Sequence, residues 1–306
     1  MIFSADLLKN TDSGLSRPED FLTGLERMGI ASETENSRIR IPCSRRDLLC
    51  FEGLLRTADA GLGLPFLPPD TEIPESQNGS IFEYLDIDVY SEHCLRLTAR
   101  MAVNCRLEPS PGWLQEALLS CGKTPQNNFL DLAQWVQLET GMSLQLLDRR
   151  SLPDGCLLLQ DLCTEENGSP VFTDGDSRIL FSPSDSNRTL PADCRDLLIL
   201  CSVTDSSGLP EDPMGTVPAV DRFCSLLQKS GCGQILDGTL DLLQYVPQPT
   251  TLPMPSEIPD ALLNGLKTLG YTVTEEGLQG PSFREDIRTS EDLQAEIQQL
   301  QKALQL

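Results

Sequence analysis

The tightest constraint on how this chain folds is a pattern that occurs twice, once near each end. Pro42-x-x-Arg45-x-Asp47 and Pro281-x-x-Arg284-x-Asp286 share one internal spacing. Each is preceded by apolar residues at helical intervals and then a glycine: Phe21, Leu22, Leu25 and Met28 before Gly29, and Leu262, Leu263, Leu266 and Leu269 before Gly270. Such intervals give a helix one apolar face, and a glycine just past its end takes up the left-handed stop. A short extended segment follows in each copy, with Ile39 and Ile41 alternating with Arg38 and Arg40 in one and Tyr271-Thr272-Val273-Thr274 in the other. Behind the proline motif a second helix is expected, carrying Leu48, Leu49, Phe51 and Leu54 or Ile287, Leu293, Ile297 and Leu300. Within each motif the arginine and aspartate, Arg45 with Asp47 and Arg284 with Asp286, read as an ion pair fixing the turn, the acid near the positive end of the coming helix.

Two proline-rich stretches, from Pro65 to Pro74 and from Pro247 to Pro259, set these units apart. Proline locks φ and removes a donor, so such runs make connectors rather than element interiors. The expected organisation is a small domain at 1–65, a linker at 66–80, a central domain at 81–246, a linker at 247–258 and a small domain at 259–306. In the central part, 81–90 and 94–103 alternate as strands. Ser110 is expected to cap a helix with Pro111 in its first turn. A helix over 128–140 should turn Leu130, Ala133, Val136 and Leu138 inward, and 156–159, 177–180 and 197–200 read as short strands. The predicted class is α+β: a central mixed α/β domain flanked by two small helix-strand-helix domains of related pattern.

Charge then narrows the partners. The chain of 306 residues has 46 acidic and 23 basic side chains, a formal charge of −23. Phosphate backbones are held by clustered Lys and Arg, so tRNA contact is expected to be weak or absent. The basic cluster of Arg38, Arg40, Arg45 and Arg46 is flanked by Glu33, Glu35, Asp47 and Glu52 and reads as a solvated strand face. One histidine, His93, rules out two-histidine metal sites and leaves a nucleophile–histidine machine only if His93 is its base. The 11 cysteines include no CxxC pair, so they read as free, mostly buried thiols of a reducing compartment, with no metal and no cofactor. The opening residues lack the basic and apolar regions of a secretory signal, and no apolar run reaches the ~20 residues needed to span a bilayer. A cytoplasmic protein without membrane contact is the expectation.

Certain central runs carry a resemblance. Ser110-Pro-x-Trp113-Leu-Gln115, Gly122, Pro125 and Asn127-Asn128, followed by Asp131-Leu132-Ala133-Gln134-Trp135-Val136 and Leu138-Glu139-x-Gly141, are similar in order and spacing to the beta subunit family of bacterial phenylalanyl-tRNA synthetase. Phe172-Thr173-Asp174-Gly175, the segment Gly231 to Gly238, and Leu269-Gly270 with Pro281-Ser282-Phe283-Arg284 resemble further stretches of it, so the likeness spans nearly the whole chain. It implies a central domain of the editing type, which in that family hydrolyses wrongly attached tyrosine from tRNA.

Departures from the family pattern qualify that implication. The oligonucleotide-binding insert is missing, its flanks joining near Glu35 to Ser37, and the sequence ends at Leu306 before the catalytic-like and anticodon-binding parts. Aminoacylation belongs to the alpha subunit, so none is expected of this chain alone. In the pocket, Thr-Asn of the family is replaced by Ala133-Gln134 and its histidine by Gln145; Glu211 is a guess for the pocket acid in a region without the expected glycine pair. An amide cannot shuttle protons near neutral pH, so the pocket of Ala133, Gln134 and Gln145 reads as a degenerate binding site without catalytic residues. Trp135, Leu138, Leu144 and Leu147 are expected around it. The leading expectation is a non-catalytic binding or accessory protein whose candidate ligands are phenylalanine or tyrosine, or else a protein partner. The alternative is a free-standing deacylase acting on mischarged aminoacyl-tRNA. A third reading takes Leu293, Ile297, Leu300 and Leu304 as a partner seam on the last helix, though a stripe spanning under two heptads is more often core.

Overall fold

The repeated pattern becomes a repeated topology. A computed structural model describes all residues except 5–6, 8–17, 36–37, 43–44, 75–77, 163–168, 185–188, 206–211, 247–250, 254–257, 285 and 288. The first copy comprises β1 (Ile2–Ser4), α1 (Pro18–Arg27), β2 (Glu33–Glu35), β3 (Arg38–Arg40) and α2 (Phe51–Leu62). β3 is the middle strand, with Ile39 opposite Phe3 on one side and Thr34 on the other. Gly29 takes φ +75°, the left-handed stop that the sequence anticipates.

Between the repeats lie β4 (Asp86–Val89), β5 (Cys94–Val103), α3 (Gly112–Ser120), α4 (Asn128–Thr140), β6 (Gln145–Asp148), β7 (Cys156–Leu162), β8 (Ser169–Asp174), β9 (Ile179–Phe181), β10 (Leu197–Thr204), α5 (Thr216–Lys229), β11 (Gln234–Ile235) and β12 (Leu240–Leu243). They form two sheets. One runs β11-β5-β10-β6 with β12 also on β5, and the other runs β4-β7-β8-β9. β10 is central in the first sheet: Leu198 faces Met101 on β5 and Leu147 on β6. The segment expected as one strand over 81–90 splits instead. Ile81–Glu83 is a 3-10 turn held by a capping box, Ser80 accepting from Phe82 N–H and Glu83 from Ser80 N–H, and the strand begins only at Asp86.

Alternation along β10 sends its side chains into two different cores. Leu197, Ile199, Cys201 and Val203 pack against α4 and α5 through Phe129, Trp135, Val136 and Phe223. Leu198 and Leu200 face the second sheet, where Leu157, Leu159, Phe172 and Phe181 meet them. The helix-side core continues into the first repeat along a row of rings: Phe21 to Phe3 at 6.1 Å, Phe3 to Phe51 at 4.9 Å, Phe51 to Trp135 at 5.9 Å and Trp135 to Trp113 at 6.1 Å. α4 presents Phe129, Leu132, Trp135 and Val136 inward, whereas Leu130, Ala133 and Leu138 are only half-buried, so its buried stripe is rotated from the one expected. Ser110 does not cap α3. Its hydroxyl donates to the buried Asp131 on α4, and Pro111 takes the cap position.

The second copy repeats the first element by element: β13 (Thr251–Leu252), α6 (Asp260–Thr268), β14 (Thr272–Thr274), β15 (Gly277–Gln279) and α7 (Ser290–Leu304), with sheet order β13-β15-β14. β13 falls inside the stretch read as the second linker, where Leu252 pairs with Leu278. Gly270 takes φ +98°. The two copies meet through α2, which packs against α1 on one side and α6 and α7 on another. Met28 and Ala60 join Leu262, Leu266, Leu293, Ile297 and Leu300 in the third core. The leucine stripe of α7 is therefore core, with Leu304 half-buried beside Gly63.

Candidate functional site

The two proline motifs bind themselves rather than a ligand. Arg45 donates to Asp47 from Nε and Nη2 at 2.9 and 2.7 Å, and Arg284 grips Asp286 the same way at 2.7 and 2.9 Å. The second copy goes deeper: Arg284 also donates to Glu296 at 2.6 Å, and the Tyr271 hydroxyl donates to the other oxygen of that carboxylate. Asp47 acts electrostatically on Arg284, and Arg45 on Asp286, so the motifs face one another across the joint between copies.

Cationic side chains elsewhere are similarly engaged. Glu33 sits directly across β3 from Arg40, at 3.6 Å, and Glu35 across from Arg38. Arg96 is paired with Asp241, Arg100 with Asp221, Arg150 with Asp148 and Asp193, and the buried Arg222 with Glu139. Two of the four arginines of the Arg38 to Arg46 cluster thus stand opposite glutamates, and a third, Arg45, is held by Asp47.

Gln145 opens β6 and is 5% exposed. Its cross-strand partner is Leu200, so alternation aims it, with Leu147, at the gap between the two sheets. There its Nε2 donates to the Pro183 carbonyl at 2.9 Å, while its Oε1 is buried with no hydrogen-bond partner among the described residues. Ser202, two residues beyond Leu200 on the same face of β10, is 6% exposed, and its hydroxyl likewise lacks a partner. An unmet buried polar atom costs about 1–3 kcal/mol. The surrounding inter-sheet core is apolar, with Leu97, Leu200, Leu159 and the stacked pair Phe172 and Phe181, whose centroids lie 4.6 Å apart. One amide oxygen and one hydroxyl are thus left in this core to meet a neutral donor.

The other expected pocket residues stand elsewhere. Ala133 is half-buried on α4 against the helix-side core, and Gln134 is half-buried on the same helix. Trp135, Leu138 and Leu144 belong to that helix-side core, whereas Leu147 faces the inter-sheet gap with Gln145. The sequence placed the seven in one pocket; β6 parts Gln145 and Leu147 from the rest. Glu211 lies outside the described residues. Leu200 and Ser202 escaped sequence reasoning because their place beside Gln145 comes from a strand pairing more than fifty residues away along the chain.

Cys94, in the inter-sheet core, is pushed up to about 12 by burial and stays a thiol. His93 is half-buried just before β5, its Nδ1 2.8 Å from the Asp205 carboxylate, and that hydrogen bond raises its pKa. Of the nine described cysteines seven are buried; Cys43 and Cys163 lie outside the described residues. Among the described residues no group of three His, Cys, Asp or Glu is arranged to hold a metal, and no helix is long and apolar enough to cross a membrane.

Comparison with known proteins places this architecture. Residues 93–177, from the start of β5 to the loop before β9, match the B3/4 domain. The chain is 23% identical over 305 residues to the phenylalanine–tRNA ligase beta subunit of Clostridium tetani, covering 84% of this chain and 39% of the relative. With the same subunit of Clostridium acetobutylicum it shares 24% over 313 residues, 84% and 38% of the two chains. Identity is 33% over 136 residues with that of Dehalococcoides mccartyi, 43% of this chain and 16% of the relative. The chain spans about two fifths of the length of the first two. Its mixed α+β build, its B3/4 match and its likeness over most of its length together make this a phenylalanine–tRNA ligase beta-subunit-like protein.

Proposed function

We propose that this chain is a non-catalytic binding protein of the beta-subunit-like kind, whose inter-sheet gap holds phenylalanine or tyrosine without hydrolysing an ester. Gln145 carries the reading. An amide stands at the gap with an unmet carbonyl oxygen, its cross-strand neighbour is the apolar Leu200, and the nearby Cys94 is locked as a thiol. Ester hydrolysis needs a group that accepts a proton near neutral pH, and a carboxamide does not. Binding needs less: a donor on the ligand relieves Gln145 Oε1 or Ser202 Oγ, and the aromatic ring is buried beside Phe172 and Phe181. The charge of −23 and the paired arginines favour free ligand or protein over tRNA. A cytoplasmic setting accords with this reading.

Isothermal titration of L-phenylalanine and L-tyrosine into the protein tests it. Saturable heat is expected for at least one, with affinity weakened at least tenfold in Gln145→Leu. Absence of heat for both at millimolar ligand removes the amino-acid reading.

A further inference from the structure

The stretch 82–92 shows an outward row that the inter-sheet gap does not use. From Tyr84 onward burial alternates: Leu85, Ile87 and Ser91 are buried and Val89 half-buried, whereas Tyr84, Asp86, Asp88, Tyr90 and Glu92 are exposed. Tyr90 is 65% exposed and Tyr84 40%, and Phe82 just before them is 62% exposed, large values for rings on a domain surface. The register Asp86 to Cys156 and Asp88 to Leu158 sets half-buried Cys156 and Leu158 beside the row, so it lies on the outer face of the second sheet. Asp88, which accepts from the Tyr90 hydroxyl, raises that hydroxyl with a smaller share from Asp86, and the Cys156 thiol is raised by burial and then by Asp154, Asp86 and Asp88, so the strip is a zone of negative potential. Arg149, whose guanidinium donates to the Tyr84 and Leu152 carbonyls, puts one positive charge at the Tyr84 end, so the negative potential is strongest toward Asp88 and Tyr90.

We propose that this strip docks an extended, lysine- or arginine-rich segment of a partner protein. Two aspartates two residues apart on a strand stand about 7 Å apart, the repeat at which alternate side chains of an extended peptide project. Exposed tyrosines at either end offer ring faces to cations, a contact worth about 0.5–1 kcal/mol on an open surface. Charge selects the occupant. A second copy of a chain with charge −23 is repelled, as is a nucleic acid, whereas a basic peptide is attracted. The inference is independent of what the inter-sheet gap binds.

The test is fluorescence anisotropy with a labelled octapeptide alternating lysine and threonine, titrated with the full chain at 50 and 300 mM salt. Binding at low salt that weakens at high salt is expected, with at least a tenfold loss in the double variant Asp86→Asn, Asp88→Asn and a threefold or greater loss in Tyr90→Ala. Glu275→Gln with Glu276→Gln makes the same charge change at two exposed acids in the second repeat, and this control should lose less than twofold. An equal loss in that control reduces the effect to overall charge and overturns the proposal. So does no peptide binding, tighter binding of a single-stranded RNA 20-mer, or self-association abolished by the strip variants.

Discussion

Replacing Asp59 by Asn should make the protein more stable, and increasingly so as pH rises. Asp59 lies on α2, is 1% exposed, and neither carboxylate oxygen has a partner among the described residues. Burial alone lifts its pKa from 3.8 to about 7. The unfolded chain then releases its proton near 3.8 while the folded chain holds on until about 7, so stability falls as pH rises through that window and is flat on either side. At about 1.36 kcal/mol per pKa unit, the ionised carboxylate costs the fold roughly 4 kcal/mol by pH 8 and roughly 1.5 at pH 5. Asparagine has nearly the same shape, stays neutral, and still buries an unmet amide. Its advantage over the parent should therefore grow by roughly 2–3 kcal/mol between pH 5 and pH 8. Urea unfolding of both proteins at the two pH values measures this directly, provided the slopes with denaturant agree. An advantage that stays constant with pH, or a variant less stable than the parent at pH 8, would refute the reasoning.

Four further outcomes follow from the packing. Arg284→Ala strands Glu296, 8% exposed and bonded by Tyr271, and should cost about 3–5 kcal/mol in urea unfolding. Arg45→Ala leaves the Asp47 carboxylate, its side chain 6% exposed, without its bidentate partner and should cost about 2–3 kcal/mol by the same measurement, less than Arg284→Ala because Arg45 is itself 26% exposed. Gly24→Ala puts a Cβ 2.3 Å from the Ala58 carbonyl oxygen across the α1–α2 contact and should lower the melting temperature sharply. Gly112→Ala, with nothing within 4 Å, should raise stability by up to about 1 kcal/mol.

Local chemistry was legible and distant pairing was not. β5 over Cys94–Val103 and α4 over Asn128–Thr140 follow from apolar runs bounded by turn residues, and Asn127 caps α4 by accepting from Phe129 and Leu130 N–H. The proline motifs showed their ion pairs because both members lie two residues apart. β1 and β13 gave no signal of their own: each is two or three residues long and exists only because β3 or β15 offers an edge. The role of Ser110 was misjudged because a serine before Pro-Gly looks like a cap, and only the fold brings buried Asp131 to its hydroxyl. At the candidate site, the exchange of an imidazole for Gln145 could be read from the resemblance. That Ala133 and Gln134 stand on α4 outside the inter-sheet gap could not, because a helix pattern does not say which core its flank will face.

The most direct trial of the binding-without-hydrolysis account is release of tyrosine from Tyr-tRNA(Phe) under single-turnover conditions with the protein in excess. The account predicts a rate equal to that of buffer alone, unchanged by Gln145→Ala. Tyrosine released well above the buffer rate, and slowed by that same substitution, would contradict it.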